Sequence, residues 1–129
     1  MTRIYTSIAA FLGLLTIVIG AFGAHNLKES LDPQSLQSFE TGVRYMMYHV
    51  LGILIIHNSA LLSEKSKGKI TLLFLAGILF FSGSIFVIAV DLIPAKRIWF
   101  ITPIGGLLFI LGWLTAGIAF LKSKKKINR

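Results

Sequence analysis

Two histidines and two tyrosines lie inside one apolar stretch of the chain, and they are the side chains there with most capacity for chemistry. Tyr45, Tyr48, His49, Gly52 and Ser59 recur at three- and four-residue steps, so on a helix they share one face. Arg44 lies one turn before Tyr48. Histidine changes charge near neutral pH and can donate, accept or ligate, which makes His49 the strongest candidate for a functional side chain. The plain alternative is a histidine hydrogen-bonded to a neighbouring helix. His25 closes the preceding apolar segment and is expected to approach His49. Two histidines on neighbouring helices can ligate a haem iron. A mononuclear zinc site wants a third protein ligand, and sequence alone does not place Glu29, Glu40 or Asp91 to supply it. His57 and Asn58 are expected near the inner membrane interface, bonded to headgroups or loops.

Much chemistry is excluded. The chain has no cysteine, which removes disulfides, thiolate metal sites, iron–sulfur clusters and cysteine nucleophiles. No Ser-His-Asp arrangement, phosphate-binding glycine loop or zincin motif occurs. No Asp or Glu falls inside an apolar segment, which argues against a carboxylate-driven pump and leaves a histidine or tyrosine relay open. The expectation is a protein that is not an enzyme and holds no metal or cofactor.

The elements that must position these residues are membrane spans. Hydrophobic residues make up 55% of the 129 residues and charged ones 14%, against about 25% charged in soluble domains. A chain this small could not hide so much apolar surface in a water-soluble core. Four spans are expected, at about 4–24, 42–62, 70–90 and 102–121, forming an all-α antiparallel bundle of four transmembrane helices in a single membrane domain. The first is long for the apolar core of a signal peptide, so it is expected to be retained. Asp32-Pro33 is a capped helix start, and Leu36, Phe39 and Val43 come after it at helical spacing, which predicts a short amphipathic helix leading into the second span. Residues 63–69 (SEKSKGK) are expected to form a cationic loop, Pro94 to break the chain between the third and fourth spans, and Thr102-Pro103 to start the last one. Residues 122–129 form a basic tail.

Orientation is set by the cations. With four spans, one side carries Arg3, Lys65, Lys67, Lys69, Lys122, Lys124, Lys125, Lys126 and Arg129, and the other only Lys28, Arg44, Lys96 and Arg97. Positive charge marks the cytoplasmic side, so both ends are expected inside, in the cell's plasma (inner) membrane. The net charge of +8 is thus a membrane rim, and nucleic acid is not an expected partner. Gly20, Gly23, Gly83, Gly105, Gly106 and Gly112 are expected to let helices approach closely in lipid. Trp113, near the middle of the last span, should find a backbone or serine oxygen for its N–H.

Four motifs stand in order: GAFGAH at 20–25, TGVRYMMYH at 41–49, FSGS at 81–84, and TPIGG at 102–106 with GW at 112–113. Together they resemble the bacterial membrane proteins filed as domain of unknown function 423. The resemblance covers nearly the whole chain. His25, Tyr48, His49, Ser82, Gly83, Ser84, Thr102, Pro103, Gly105 and Gly106 match the family pattern; Asn26 stands where glycine is expected, and Met46-Met47 where a glutamine is common. The resemblance implies a four-helix integral membrane protein and no established activity. It also suggests an outward-facing polar cluster of His25, Arg44, Tyr48, His49, Ser82, Ser84 and Thr102. The leading functional expectation is a non-enzymatic accessory or assembly subunit, with the bilayer and either a larger membrane complex or further copies of itself as partners. The rivals are a small-solute, lipid or quinone-binding transporter built on the polar cluster, and a haem-binding redox protein.

Overall fold

A computed structural model describes residues 1–124; 125–129, and with them most of the basic tail, lie outside the described residues. The described chain is helical and contains no strand. Helix α1 (Thr2–Phe22) runs on through a π-helical turn at Gly23–Leu27. Helix α2 (Pro33–Asn58) comes next, then α3 (Glu64–Gly77), a second π turn (Ile78–Ser82) and α4 (Gly83–Ala89) as one continuous rod. A short α5 (Ala95–Ile98) precedes α6 (Ile101–Lys122). Three rods, Thr2–Leu27, Glu64–Ala89 and Ile101–Lys122, are long and apolar enough to cross a membrane. At 1.5 Å per residue the shortest spans about 33 Å, enough for a hydrocarbon core of about 30 Å. Helix α2 is equally long, but its first turns carry the polar run Pro33–Glu40 and it does not meet that measure.

Local chemistry explains the boundaries. Asp32 caps α2: its carboxylate accepts from the Ser35 amide at 3.0 Å, and Pro33 occupies the first helical position. Ser63 caps α3 in the same way through the Ser66 amide. Residues 64–69 are therefore helical rather than the expected loop, because a serine placed just before Glu64 satisfies a free amide and starts the helix a turn and a half early. Helix α2 ends at Asn58, four residues short of the expected 62, where Ser59 turns extended. The cap expected of Thr102 is not used: α6 begins at Ile101, and the Thr102 hydroxyl goes to Ser84 instead. Asp91 closes α4 with a φ of 56°, a left-handed conformation that aspartate tolerates better than most residues.

Hydroxyls within the apolar rods look after themselves. Thr6, Thr16 and Thr115 each donate to the carbonyl four residues earlier, at 2.7–2.9 Å. That leaves no unpaired polar group facing lipid at these positions.

The core is centred on α2, α3 and α6, and Ala9 of α1 and Ile78 of the second π turn belong to it. Ile53, Ile70 and Phe74 are fully enclosed, with Met46, Val50, Ile56, Phe109 and Ala116 around them. The contacts pair the end of α1 with the start of α2, since a Cβ on Gly23 would strike the Phe39 ring. They pair the last turn of α3, mid-way along the Glu64–Ala89 rod, with the middle of α6, where Gly112 lies against Phe74 and Gly77 against Phe109. At Gly105 the obstacle is main chain: a Cβ there would collide with the backbone of Phe80 and Phe81 on the second π turn. Gly20 and Gly106 pack less tightly, against Val43 and Phe81, and Gly83 faces only its own rod.

Candidate functional site

His49 projects from the middle of α2 into the seam with α3 and α6. It is 5% exposed. Its ring stacks on Phe109 with centroids 3.6 Å apart and meets the edge of Phe74 at 5.0 Å. The Trp113 indole N–H donates to His49 Nε2 at 3.0 Å. An indole nitrogen can only donate, so Nε2 accepts and the proton sits on Nδ1, which donates to the Tyr45 carbonyl at 2.6 Å. The ring is thus the neutral Nδ1–H tautomer, with both nitrogens engaged. Trp113 is the partner that sequence reasoning missed: it was expected to seek a backbone or serine oxygen, and it finds the histidine of the neighbouring helix.

Beside this pair, α2 and α6 leave a lateral groove of about 990 Å³. Its α2 wall is Tyr45, Tyr48 and His49, and its α6 wall is Pro103, Gly106, Leu107, Phe109, Ile110 and Trp113. Tyr45 stacks on Phe81 at 5.1 Å and extends the aromatic floor. Tyr45 and Tyr48 are 40% and 54% exposed. Gly106 is the low point of the α6 wall; a Cβ added there would sit 3.8 Å from Phe81, an ordinary contact.

The remaining residues of the expected polar cluster divide into separate groups. Ser84 donates to the Phe81 carbonyl at 2.9 Å, so the Thr102 hydroxyl donates to Ser84, tying α4 to α6. Ser82 is fully buried and donates across to the Gly42 carbonyl of α2 at 2.7 Å. Arg44 is exposed, reaches back to Thr41 at 3.2 Å, and lines a small cleft against α1 with Glu40 and Gly20. His25 is exposed on the first π turn. Among the described residues no hydrogen bond or ring contact joins His25 to His49, and no group of three or more His, Cys, Asp or Glu could hold a metal ion.

A second polar array occupies the other end of the helices, and the sequence did not lead us to expect it. Thr2 donates its hydroxyl proton to Glu64 at 2.7 Å. Having one proton, it accepts from His57 Nδ1–H at 3.3 Å. His57 Nε2 then accepts from Thr71 at 2.8 Å. Lys67, 8% exposed, donates to the His57 carbonyl at 3.3 Å and pairs with Glu64 at 3.1 Å. His57 therefore bonds to α1 and α3, not to headgroups or loops. The clue was available: a histidine at the end of α2, a threonine at residue 2 and an i,i+3 Glu–Lys pair at 64 and 67 belong to segment ends that the expected topology puts on one side.

Comparison with known proteins places the chain. Residues 19–106 match the family model described as Protein of unknown function (DUF423). The UPF0382 membrane protein of Haemophilus influenzae is 36% identical over 124 residues, 96% of this chain and 98% of that one. UPF0382 membrane protein YwdK of Bacillus subtilis is 37% identical over 125 residues, 93% and 98% of the two chains. UPF0382 inner membrane protein YgdD of Escherichia coli is 31% identical over 133 residues, 97% and 95%. No solved structure matches.

Proposed function

Since the chain belongs to the DUF423 family of membrane proteins, we propose its function from its own geometry: it is a non-enzymatic binding protein of the plasma membrane whose α2–α6 groove receives one amphipathic, lipid-like molecule. The groove carries this reading. Its volume of about 990 Å³ falls at the upper end of the roughly 300–1,000 Å³ of small-molecule sites, which combine an apolar lining with a few polar groups. Here the lining is aromatic and aliphatic, and the polar groups are the Tyr45 and Tyr48 hydroxyls, which no hydrogen bond among the described residues engages. An apolar body lying along Phe109 and Ile110, with its polar head at the tyrosines, suits that pattern. His49 and Trp113 shape the floor; each occupies the other's polar atom, so they hold the groove's form rather than act as ligands or proton carriers.

The grounds for an assembly subunit are the chain's small size, the absence of carboxylates from its apolar segments and its small-residue helix faces. Gly23, Gly105 and Gly112 turn inward, onto Phe39, Phe80–Phe81 and Phe74 of the same chain. The groove is the more open feature, and a partner's helix in it is an outcome that the test separates.

The same reading has α2 crossing with the three apolar rods, as a four-span antiparallel bundle with both ends cytoplasmic. Its support is the crowding of Lys and Arg at one end and the length of α2, whose residues after Arg44 include no Asp, Glu, Lys or Arg.

The test is mass spectrometry of protein extracted in lipid nanodiscs, wild type beside Gly106→Leu, which fills the groove from a position where a Cβ is tolerated. The wild type should retain one small amphipathic molecule per chain and the variant should lose it. Equal complements in both, or a protein in place of the small molecule, would refute the reading. The span number is tested separately. The chain has no cysteine, so Asn26→Cys and Ala60→Cys each introduce a unique thiol; four spans require labelling from opposite sides, and labelling from one side means that α2 does not cross.

A further inference from the structure

Beyond the groove, a second cleft lies toward the C-terminal end of α6, where α6 faces the start of α3. Its volume is about 530 Å³. Lys69 enters it from α3, and Lys122 and Lys124 from the end of α6. Ser63 and Ser66 line it beside them, and Ile118 belongs to its apolar wall. All three lysines are exposed. Among the described residues the ion pair at this end is Lys67 with Glu64, and it leaves no carboxylate to these three. Lysines converging from two helices repel one another unless an anion is shared between them. The cleft stands at the end of the membrane-crossing rods Glu64–Ala89 and Ile101–Lys122, so phosphate groups of lipids are the anions held at its depth.

We propose that this cleft is a binding site for the headgroup phosphate of an anionic phospholipid. The phosphate sits among Lys69, Lys122 and Lys124, the Ser63 and Ser66 hydroxyls, which bond to each other at 3.0 Å, have one proton left to donate to it, and an acyl chain descends along Ile118. Lysine binds phosphate as a mobile point charge, which suits a headgroup that exchanges with the bulk leaflet. The inference needs the chain to lie in a bilayer and does not rest on the occupant of the α2–α6 groove.

The experiment is native mass spectrometry of the full chain in mild detergent with equimolar short-chain phosphatidylglycerol and phosphatidylcholine, read as the ratio of retained adducts. Basic residues at a lipid surface each favour anionic lipid several-fold, less where they are exposed, so a preference of about tenfold is expected for the wild type. The triple variant Lys69→Gln, Lys122→Gln, Lys124→Gln should bring the ratio near one. A control removing the same charge elsewhere, Lys28→Gln, Lys96→Gln and Arg97→Gln, should keep the preference. Thr115→Trp blocks the cleft with charge unchanged and should also lower the ratio; it decides the matter if the triple variant does not fold. A preference that survives both cleft variants, or falls equally in the control, means diffuse attraction and overturns the site. Displacement of the lipid by millimolar glycerol phosphate would make the ligand a soluble phosphate and overturn the assignment to lipid.

Discussion

Replacing Trp113 by phenylalanine keeps an aromatic ring against Phe74, 5.0 Å away, and removes the one proton that His49 Nε2 accepts. His49 is 5% exposed, so no bulk water replaces the indole. In a water-soluble protein an orphaned buried acceptor costs about 1–3 kcal/mol. Between helices in a bilayer the net value is smaller, averaging ~0.6 and reaching ~1.7 kcal/mol, because the separated helices also find partners. The 3.0 Å contact is close to ideal, and the ring is also held by its stack on Phe109, so a coupling of about 1 kcal/mol is expected between the two side chains. The assay is a double-mutant cycle of Trp113→Phe, His49→Leu and the pair, measured by reversible unfolding in mixed micelles. Nitrogen chemical shifts of the His49 ring give an independent reading, since the geometry requires the proton on Nδ1. A coupling indistinguishable from zero together with a proton on Nε2 would refute the derivation and return His49 to the list of free, reactive side chains.

Packing and caps set three further outcomes. Gly105→Ala should destabilise by about 1–3 kcal/mol through overpacking, because the obstacle is the backbone of Phe80–Phe81, whereas Gly117→Ala, with nothing within 4 Å of the added carbon, should be neutral; thermal unfolding in one detergent compares them. Thr71→Val leaves His57 Nε2 without its donor and should cost about 1 kcal/mol, with faster hydrogen exchange at the α1–α2–α3 end as the local signature. The hydroxyl and amide of Ser35 hold the Asp32 carboxyl below its ordinary pKa; a lowered folded value means that the cap's contribution is complete above the unfolded pKa and is lost as pH falls through the folded one. The Ser35 amide should therefore lose protection, measured against the unstructured exchange rate at the same pH, only in acid, and Asp32→Asn, which keeps an acceptor without titrating, should remove that dependence.

The signals that were legible in the sequence came from water-facing chemistry. Asp32-Pro33 marked the start of α2, and the long uncharged runs marked three membrane rods. Ser63 carried the same kind of signal for α3, but the charges of 64–69 suggested a loop more strongly; the structure accommodates them because Lys67 lies along the helix to Glu64 and the His57 carbonyl. Helix faces were harder. In lipid the outward and inward sides are both apolar, so periodicity loses its phase: Leu107, Ile110 and Leu114 face out and Phe109 and Ala116 face in, with no difference of type to tell them apart. The π turns at Gly23–Leu27 and Ile78–Ser82 have no residue signature either. Each shifts the helical phase of the residues after it.

Three of the four ordered motifs gain a physical meaning from where they touch. FSGS ends the second π turn, and its Ser82 bonds to Gly42 of TGVRYMMYH, while its Ser84 receives Thr102 of TPIGG. Gly105 of TPIGG lies against the backbone of the same π turn. Trp113 of GW bonds to His49, which closes TGVRYMMYH. A π turn widens the helix by one residue and exposes a carbonyl or re-aims a side chain; here it brings the Phe80–Phe81 backbone to the glycine of α6 and Ser82 to α2. Three motifs, from α2 and two of the rods, thus meet in one seam, and each fixes a neighbour's position. The seam's outer edge is the groove of Tyr45, Tyr48, Gly106 and Trp113. Residues that set helix contacts at a seam also set the width of the groove that opens beside it, so substitutions at Ser82, Thr102 or Gly105 should alter groove occupancy without touching the occupant. Tyr48→Phe should alter occupancy while leaving the unfolding temperature unchanged, because its hydroxyl faces the groove and no neighbouring helix. If all four variants lose stability and occupancy in proportion, the groove is a by-product of packing and not a site.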